Sequence, residues 1–322
     1  MAFWVVMGNE LRHRLLRGNN NRNTALLIKK FIMYNNKVFF VNEMRSGWFG
    51  MMLVAVAWIG MGLLASCSST MPVSGPQGRL SAKVTLPAGF DPERDSCMMV
   101  ILMHGIFSSK DYPPMPMIAR ELARQGIASV RFDFNGHGRS DGKMVEMTIA
   151  RELADARAVW DSVTRLPYVS SVVLLGHSQG GAVASMVAGQ LADEGLSPTG
   201  LVLLAPGSII KEATQSGRFF GQEFDPADPP AYIKCFHHYK LGRDYLVQTQ
   251  QLDIYGTAER YKGPVCIIHG AHDGIVPRWC SERYQEIYHH SHLYIVKGEN
   301  HLFVKKGKKV ASIVAGFLRG IK

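Results

Sequence analysis

Apolar runs of strand length recur along most of this chain with helix-patterned segments between them, and few folds accept that alternation. The runs occupy 98–103, 127–132, 172–175, 201–204, 265–268 and 293–296, and an alternating, half-exposed run at 79–86 precedes them. Between them Ile149, Leu153, Ala156, Trp160 and Val163 repeat at helical spacing, which lays one apolar stripe along a helix. Val310, Ile313, Val314, Phe317, Leu318 and Ile321 do the same near the end. Met117, Ile118 and Leu122 begin a shorter helix that Gly126 can stop in the left-handed conformation. Strands that are apolar throughout are buried on both faces, and crossover helices are the elements that cover them. The expectation is one α/β domain built on a mostly parallel central sheet, with helices on both faces.

Composition agrees with a large core, since 47% of the 322 residues are apolar and only 19% are charged. A net charge of +10 suggests an anionic partner until its placement is considered. Residues 1–43 hold seven Lys/Arg against two Asp/Glu, whereas the chain from Cys67 onward holds 28 against 24. That near balance argues against a nucleic-acid binder.

Residues 48–66 form an almost unbroken uncharged apolar run, preceded by Met44 and Arg45. Such a run suits a signal peptide or a single membrane span. Its end, Leu64-Ala65-Ser66-Cys67, resembles the bacterial lipobox, which implies a signal peptide at 44–66 and a lipid on Cys67. An uncleaved helical anchor is the alternative. Residues 1–43 then read as leader or as a mis-assigned start, with the natural start at Met44. Residues 67–78, rich in Ser, Pro and Gly, are expected to be a linker to a hydrolytic domain at 79–322. Ser68, not an aspartate, follows Cys67, which is compatible with an outer-membrane address in a bacterial envelope. Cys97, Cys235, Cys266 and Cys280 lack metal-site spacing, so no metal is expected, and their pairing stays open.

One interval breaks the rhythm. Residues 206–263 contain no buried strand but many aromatics and several helix-like pieces, so they are expected to form a helical cap inserted into the domain.

The chemistry gathers at strand ends. Gly176-His177-Ser178-Gln179-Gly180 places G-x-S-x-G directly between an apolar strand and a small-residue helix, the setting of a nucleophile elbow, so Ser178 is the expected nucleophile. A serine hydroxyl needs a base and an anion that orients it. His301, in the polar loop after the last strand, is the expected base. Asp273, in the loop after the 265–268 strand, is the expected acid, with Glu299 as its rival. The oxyanion of an acyl-transfer intermediate needs two backbone donors, expected from the N–H groups of Ile106 and Gln179. His104 reads as a structural loop residue. The glycine-rich 135–142 segment lacks the P-loop and dinucleotide-binding patterns and reads as a turn. Lys305, Lys306, Lys308 and Lys309 read as a solvated helix start.

Together, His104-Gly105, 134–140, 176–181, 203–206, 250–255 and 264–270 resemble the α/β-hydrolase superfamily, and more narrowly bacterial cinnamoyl (feruloyl) esterases. The resemblance implies the α/β-hydrolase fold and a serine esterase without cofactor. It further implies a cap that holds the aromatic acid of an ester, with Tyr245 touching its phenolic end. Where such relatives carry polar contacts to the ring hydroxyls, this chain has Ala213 and Phe220. Phe219, Phe220 and Phe236 are the residues on which an aromatic acyl group could stack. The function expected is hydrolysis of hydroxycinnamoyl or other small acyl esters, with a small-molecule or carbohydrate-linked substrate. Monoacylglycerol lipase and acyl-aminoacyl peptidase-like activities keep the same triad, and a non-catalytic surface binding module is the reading from another class.

Overall fold

The computed structural model describes residues 31–34, 37–40, 68–236 and 238–321. The chain divides into two compact units, Met1–Gly60 and Met61–Lys322. In the first, strands β1 (Phe31–Tyr34) and β2 (Lys37–Phe40) pair antiparallel. The apolar run at 48–66 and Cys67 lie outside the described residues. No helix among the described residues is long and apolar enough to cross a membrane.

The second unit is organised by one eight-stranded sheet. Its strands are β3 (Ser68–Gly75), β4 (Gly78–Thr85), β5 (Cys97–Met103), β6 (Ala128–Phe132), β7 (Val169–His177), β8 (Gly200–Leu204), β13 (Val265–Gly270) and β14 (Ser291–Val296). They lie in the order β14-β13-β8-β7-β5-β6-β4-β3. The six from β14 to β6 are parallel, and β4 and β3 add antiparallel at one edge. The fold is that of an α/β-hydrolase, with the mostly parallel sheet expected from the sequence.

Side-chain alternation along β5 shows why continuous apolar strands are needed here. Met99, Ile101 and Met103 enter one core, whereas Met98, Val100 and Leu102 enter another on the opposite face. Helices α2 (Ile149–Thr164) and α3 (Gln179–Asp193) supply the first core, and α1 (Met115–Arg124) and α8 (Gly307–Gly320) supply the second. Thr148 caps α2 by accepting the Arg151 N–H at 3.2 Å. Gly126, at φ 76°, follows the end of α1 as expected. Cys97, Cys235, Cys266 and Cys280 are buried free thiols.

Two expectations need correction. Ser68–Gly75 is no linker: it pairs with β4 residue for residue, and Val73 is buried in the core. Ser68, Ser69 and Thr70 are exposed in succession, as suits the outer end of an edge strand. The cap at 206–263 is not purely helical either. Besides α4 (Ile210–Gln215), α5 (Arg243–Gln250) and α6 (Ile254–Ala258), it holds two hairpins. These join β9 (Arg218–Phe219) to β10 (Gln222–Glu223), and β11 (Tyr232–Cys235) to β12 (Tyr239–Gly242). Phe220 at φ 46° and Gly221 at φ 76° give the first hairpin the paired left-handed residues of a tight turn.

Candidate active site

Every residue expected in the chemistry lies at the carboxyl ends of the parallel strands, where open α/β sheets place their ligand crevices. Ser178 follows β7 and occupies the N-cap position of α3, with φ 55° and ψ −127°. An L-residue holds such a conformation only when its surroundings impose it. Here the Ser178 N–H donates to the Leu204 carbonyl at 2.9 Å, and the Ser178 carbonyl accepts the N–H groups of Gly181 and Gly207 at 2.8 Å each. A Cβ at Gly176 would collide with the Gly180 carbonyl, and one at Gly180 with the His104 carbonyl, so strand and helix meet this closely only through glycine.

His301 follows β14, and its Nδ1 donates to Asp273 Oδ2 at 2.8 Å. That leaves Nε2 to take a proton. Asp273 Oδ1 accepts the N–H groups of Ile275 and Val276 at 2.9 Å each. Burial pushes the Asp273 carboxyl up, but the His301 bond and these two amides outweigh it and hold its pKa below the ordinary value. His269 Nε2, 3.5 Å from Asp273 Oδ2, adds a further dipole. Glu299 is fully buried and accepts the N–H groups of Asn300 and Lys306, so it serves the backbone of the loop and not the imidazole.

Ser178 and His301 line one cavity of about 360 Å³ together with Ile106 and Phe107. Neither the Ile106 nor the Gln179 main-chain N–H meets a protein acceptor among the described residues. Gln179 opens α3, so its N–H also points from the positive end of a 15-residue helix. Gly207 keeps this donor uncovered, because a Cβ there would sit 3.0 Å from the Gln179 nitrogen. Ile106 is set by the strand-end turn His104–Phe107. In that turn His104 is buried, donates Nδ1–H to the Gly105 carbonyl at 2.8 Å and accepts the Phe134 N–H at 3.2 Å. Burial lowers its pKa to about 4, as suits a neutral loop residue.

A second cavity of about 410 Å³ also reaches Ser178 and shares Ile106, Phe220, Phe236 and Ile275 with the first. Phe219 and Phe220 line it as the sequence suggests, and Phe236 stands exposed at its rim. Phe107, at φ 56°, stacks on Tyr239 with ring centroids 4.8 Å apart and meets Phe220 and Phe236 edge-on.

Tyr245 is a correction. It is fully buried, lines neither of these cavities and donates its hydroxyl to Gln179 Oε1 at 2.8 Å. The other end of the same amide donates to Glu152 Oε2 at 2.8 Å. Tyr245 and Glu152 thus clamp the side chain of the residue whose N–H faces the site. Burial raises the Glu152 carboxyl to about 8. Sequence reasoning missed Glu152, although it sits three residues after Ile149 on the apolar stripe of α2. It also left His177 without a role. His177 donates Nε2–H to the His301 carbonyl at 2.8 Å, and burial lowers its pKa to about 3. No group of three or more His, Cys, Asp or Glu among the described residues could hold a metal ion.

The profile of the serine aminopeptidase, S33 family matches residues 94–233, a span that includes Ser178 but stops before Asp273 and His301. The lysophosphatidylserine lipase ABHD12 of Danio rerio is 23% identical over 238 residues, 69% of this chain and 58% of that protein. The mitochondrial palmitoyl-protein thioesterase ABHD10 of Mus musculus is 23% identical over 155 residues, 47% of this chain and 50% of its own length. The matches thus span little more than half of these curated relatives. Among solved structures, Est1E from Butyrivibrio proteoclasticus with ferulic acid bound superposes with a TM-score of 0.73 at 26% identity, over 78% of this chain and 98% of that one. The chain has the α/β-hydrolase fold, and the hydrolase family and esterase structures to which it is similar support a serine hydrolase.

Proposed function

We propose that the chain is a carboxylic-ester hydrolase that works through an acyl-enzyme on Ser178. The observation that carries this reading is the 2.8 Å contact of His301 Nδ1 with Asp273 beside a cavity lined by both Ser178 and His301. His301 Nε2 takes the hydroxyl proton as Ser178 Oγ attacks the ester carbonyl, and the oxyanion accepts the N–H groups of Ile106 and Gln179. His301 then passes its proton to the departing alcohol, which leaves the acyl group on Ser178. Water repeats the sequence, releasing the carboxylic acid and restoring the hydroxyl.

The acyl group in this reading is aromatic, of the hydroxycinnamoyl kind, or another small one. Phe220 and Phe236, which line both cavities at Ser178, support it, as does the likeness to an esterase solved with ferulic acid. The likeness to a lysophosphatidylserine lipase favours a second reading, a lipase for single-chain glycerides. Turnover of methyl ferulate, 4-nitrophenyl butyrate, a monoacylglycerol and an acyl-peptide separates the readings. A burst of 4-nitrophenol and labelling of Ser178 by a fluorophosphonate are expected. Absence of both would leave a surface binding module.

The address belongs to the same proposal. Leu64-Ala65-Ser66-Cys67 supports a lipid anchor on Cys67 in the cell envelope. Radiolabelled palmitate should enter the parent chain and not Cys67→Ala; equal labelling rejects the anchor.

A further inference from the structure

Ser178 stands where two cavities meet, and His301 lines only one of them. This asymmetry assigns the two halves of an ester. In the tetrahedral intermediate the carbon carries Oγ, the oxyanion, the acyl group and the departing oxygen. The departing oxygen has to face the imidazole that protonates it. The alcohol therefore projects into the His301 cavity, and the acyl group is left with the other.

The two cavities differ in chemistry. The one without His301 is lined by Ile209, Ile210, Ala213, Phe219 and Val276. Among the described residues its only polar side chains are those of Ser178, the nucleophile, and Gln179, whose amide is already committed at both ends to Glu152 and Tyr245. A phenolic hydroxyl buried there would lose water and find no side-chain partner. The His301 cavity instead carries the hydroxyl-bearing Ser108, Tyr112 and Tyr239. Both cavities open past the exposed Phe236 and Ile275, but only this one has a hydroxyl-bearing residue at its mouth, Tyr112, which is 64% exposed, whereas Ile210, Phe219 and Val276 at the floor of the other are buried.

From this geometry we infer that the substrate is an ester of an unsubstituted apolar acid, cinnamoyl or medium-chain acyl, with a polyhydroxy alcohol of the glyceryl or sugar kind. The inference rests on the ester-hydrolase reading and, among the acyl groups named there, sets aside the hydroxycinnamoyl ones. When the Ser178 ester forms, the C–O bond to the alcohol breaks and the alcohol leaves with the His301 proton. Deacylation is therefore blind to which alcohol was present.

The test crosses acyl groups (acetyl, octanoyl, cinnamoyl, feruloyl) with methyl and glyceryl alcohols on the full chain and two variants, Ala213→Trp and Tyr112→Ala. Cinnamoyl is expected to exceed feruloyl by roughly 10-fold or more in kcat/KM, the scale of burying an unpaired hydroxyl. Ala213→Trp should depress octanoyl and cinnamoyl relative to acetyl and slow deacylation. Tyr112→Ala should alter the glyceryl-to-methyl ratio without moving the ranking of acyl groups. Equal use of feruloyl and cinnamoyl overturns the apolar acyl site. Acyl ranking moved by Tyr112→Ala and not by Ala213→Trp overturns the assignment of the halves, with ester hydrolysis intact. No turnover together with no fluorophosphonate labelling overturns the esterase reading and this inference with it.

Discussion

His177 Nε2–H donates to the main-chain carbonyl of His301 across 2.8 Å, so the residue before the nucleophile holds the backbone of the residue assigned as its base. The two rings lie 4.7 Å apart, and Nδ1 of His177 meets no hydrogen-bond partner among the described residues. His177→Phe keeps a ring and removes the donor, leaving a carbonyl unpaired at ~1–3 kcal/mol. A loss of roughly 10-fold in kcat is expected, with a smaller change in KM. Steady-state kinetics on 4-nitrophenyl butyrate measure it; parental kcat would show that the bond does not position His301.

Asp273→Asn keeps the shape of the acid and removes its charge. The buried His301 then loses the anion that fixes its tautomer, and turnover should fall by up to roughly 10⁴-fold. Fluorophosphonate labelling of Ser178 should slow in parallel, while thermal melting reports whether the fold persists. Near-parental rates would remove Asp273 from the triad.

Gly207→Ala tests the oxyanion site without disturbing a left-handed residue, because Gly207 has no positive φ. The new methyl would lie 3.0 Å from the Gln179 nitrogen and 3.0 Å from the Ser178 carbonyl carbon. A kcat loss approaching the ~10²–10³ that follows removal of one oxyanion donor is expected. Unchanged kcat would mean that the Gln179 N–H faces no developing charge.

Stability should depend on Glu152 and Asp155. Burial raises their carboxyls to about 8 and about 7, from ordinary values of 4.5 and 3.8. The folded chain therefore keeps protons that the unfolded chain has released. Their contribution is full below the ordinary values and is lost as pH rises through about 7 to 8. The urea midpoint of the parent should drop between about pH 4 and pH 8 and level off above, and Glu152→Gln should flatten part of that drop. Identical slopes in parent and variant would show that Glu152 does not titrate there.

The parallel strands and the placement of Ser178, Asp273 and His301 at their ends were legible because continuous apolar runs and G-x-S-x-G are local patterns. Edge strand β3 was not, since Ser68, Ser69 and Thr70 read equally as linker until β4 supplies their partners. The cap hairpins escaped for a similar reason: two-residue strands carry no periodicity, and the turn at Phe220 departs from the usual glycine-asparagine grammar. Tyr245 was misplaced because the resemblance to feruloyl esterases carried a substrate contact onto it, whereas its hydroxyl is held by Gln179, itself bonded to Glu152, both far away in sequence. Glu152 was present on the α2 stripe, but a periodic count of apolar residues passes over a buried acid.

The cap leaves the sheet after β8 and returns before β13, and none of Ser178, Asp273 and His301 lies inside it. The sheet thus fixes Ser178, Asp273 and His301, while Ile209, Ile210, Ala213, Phe219 and Phe220 of the second cavity ride on that excursion. Apart from Gly207 and Tyr245, which bear on Gln179, substitutions in the excursion would reshape the pocket wall and leave those three side chains where they are.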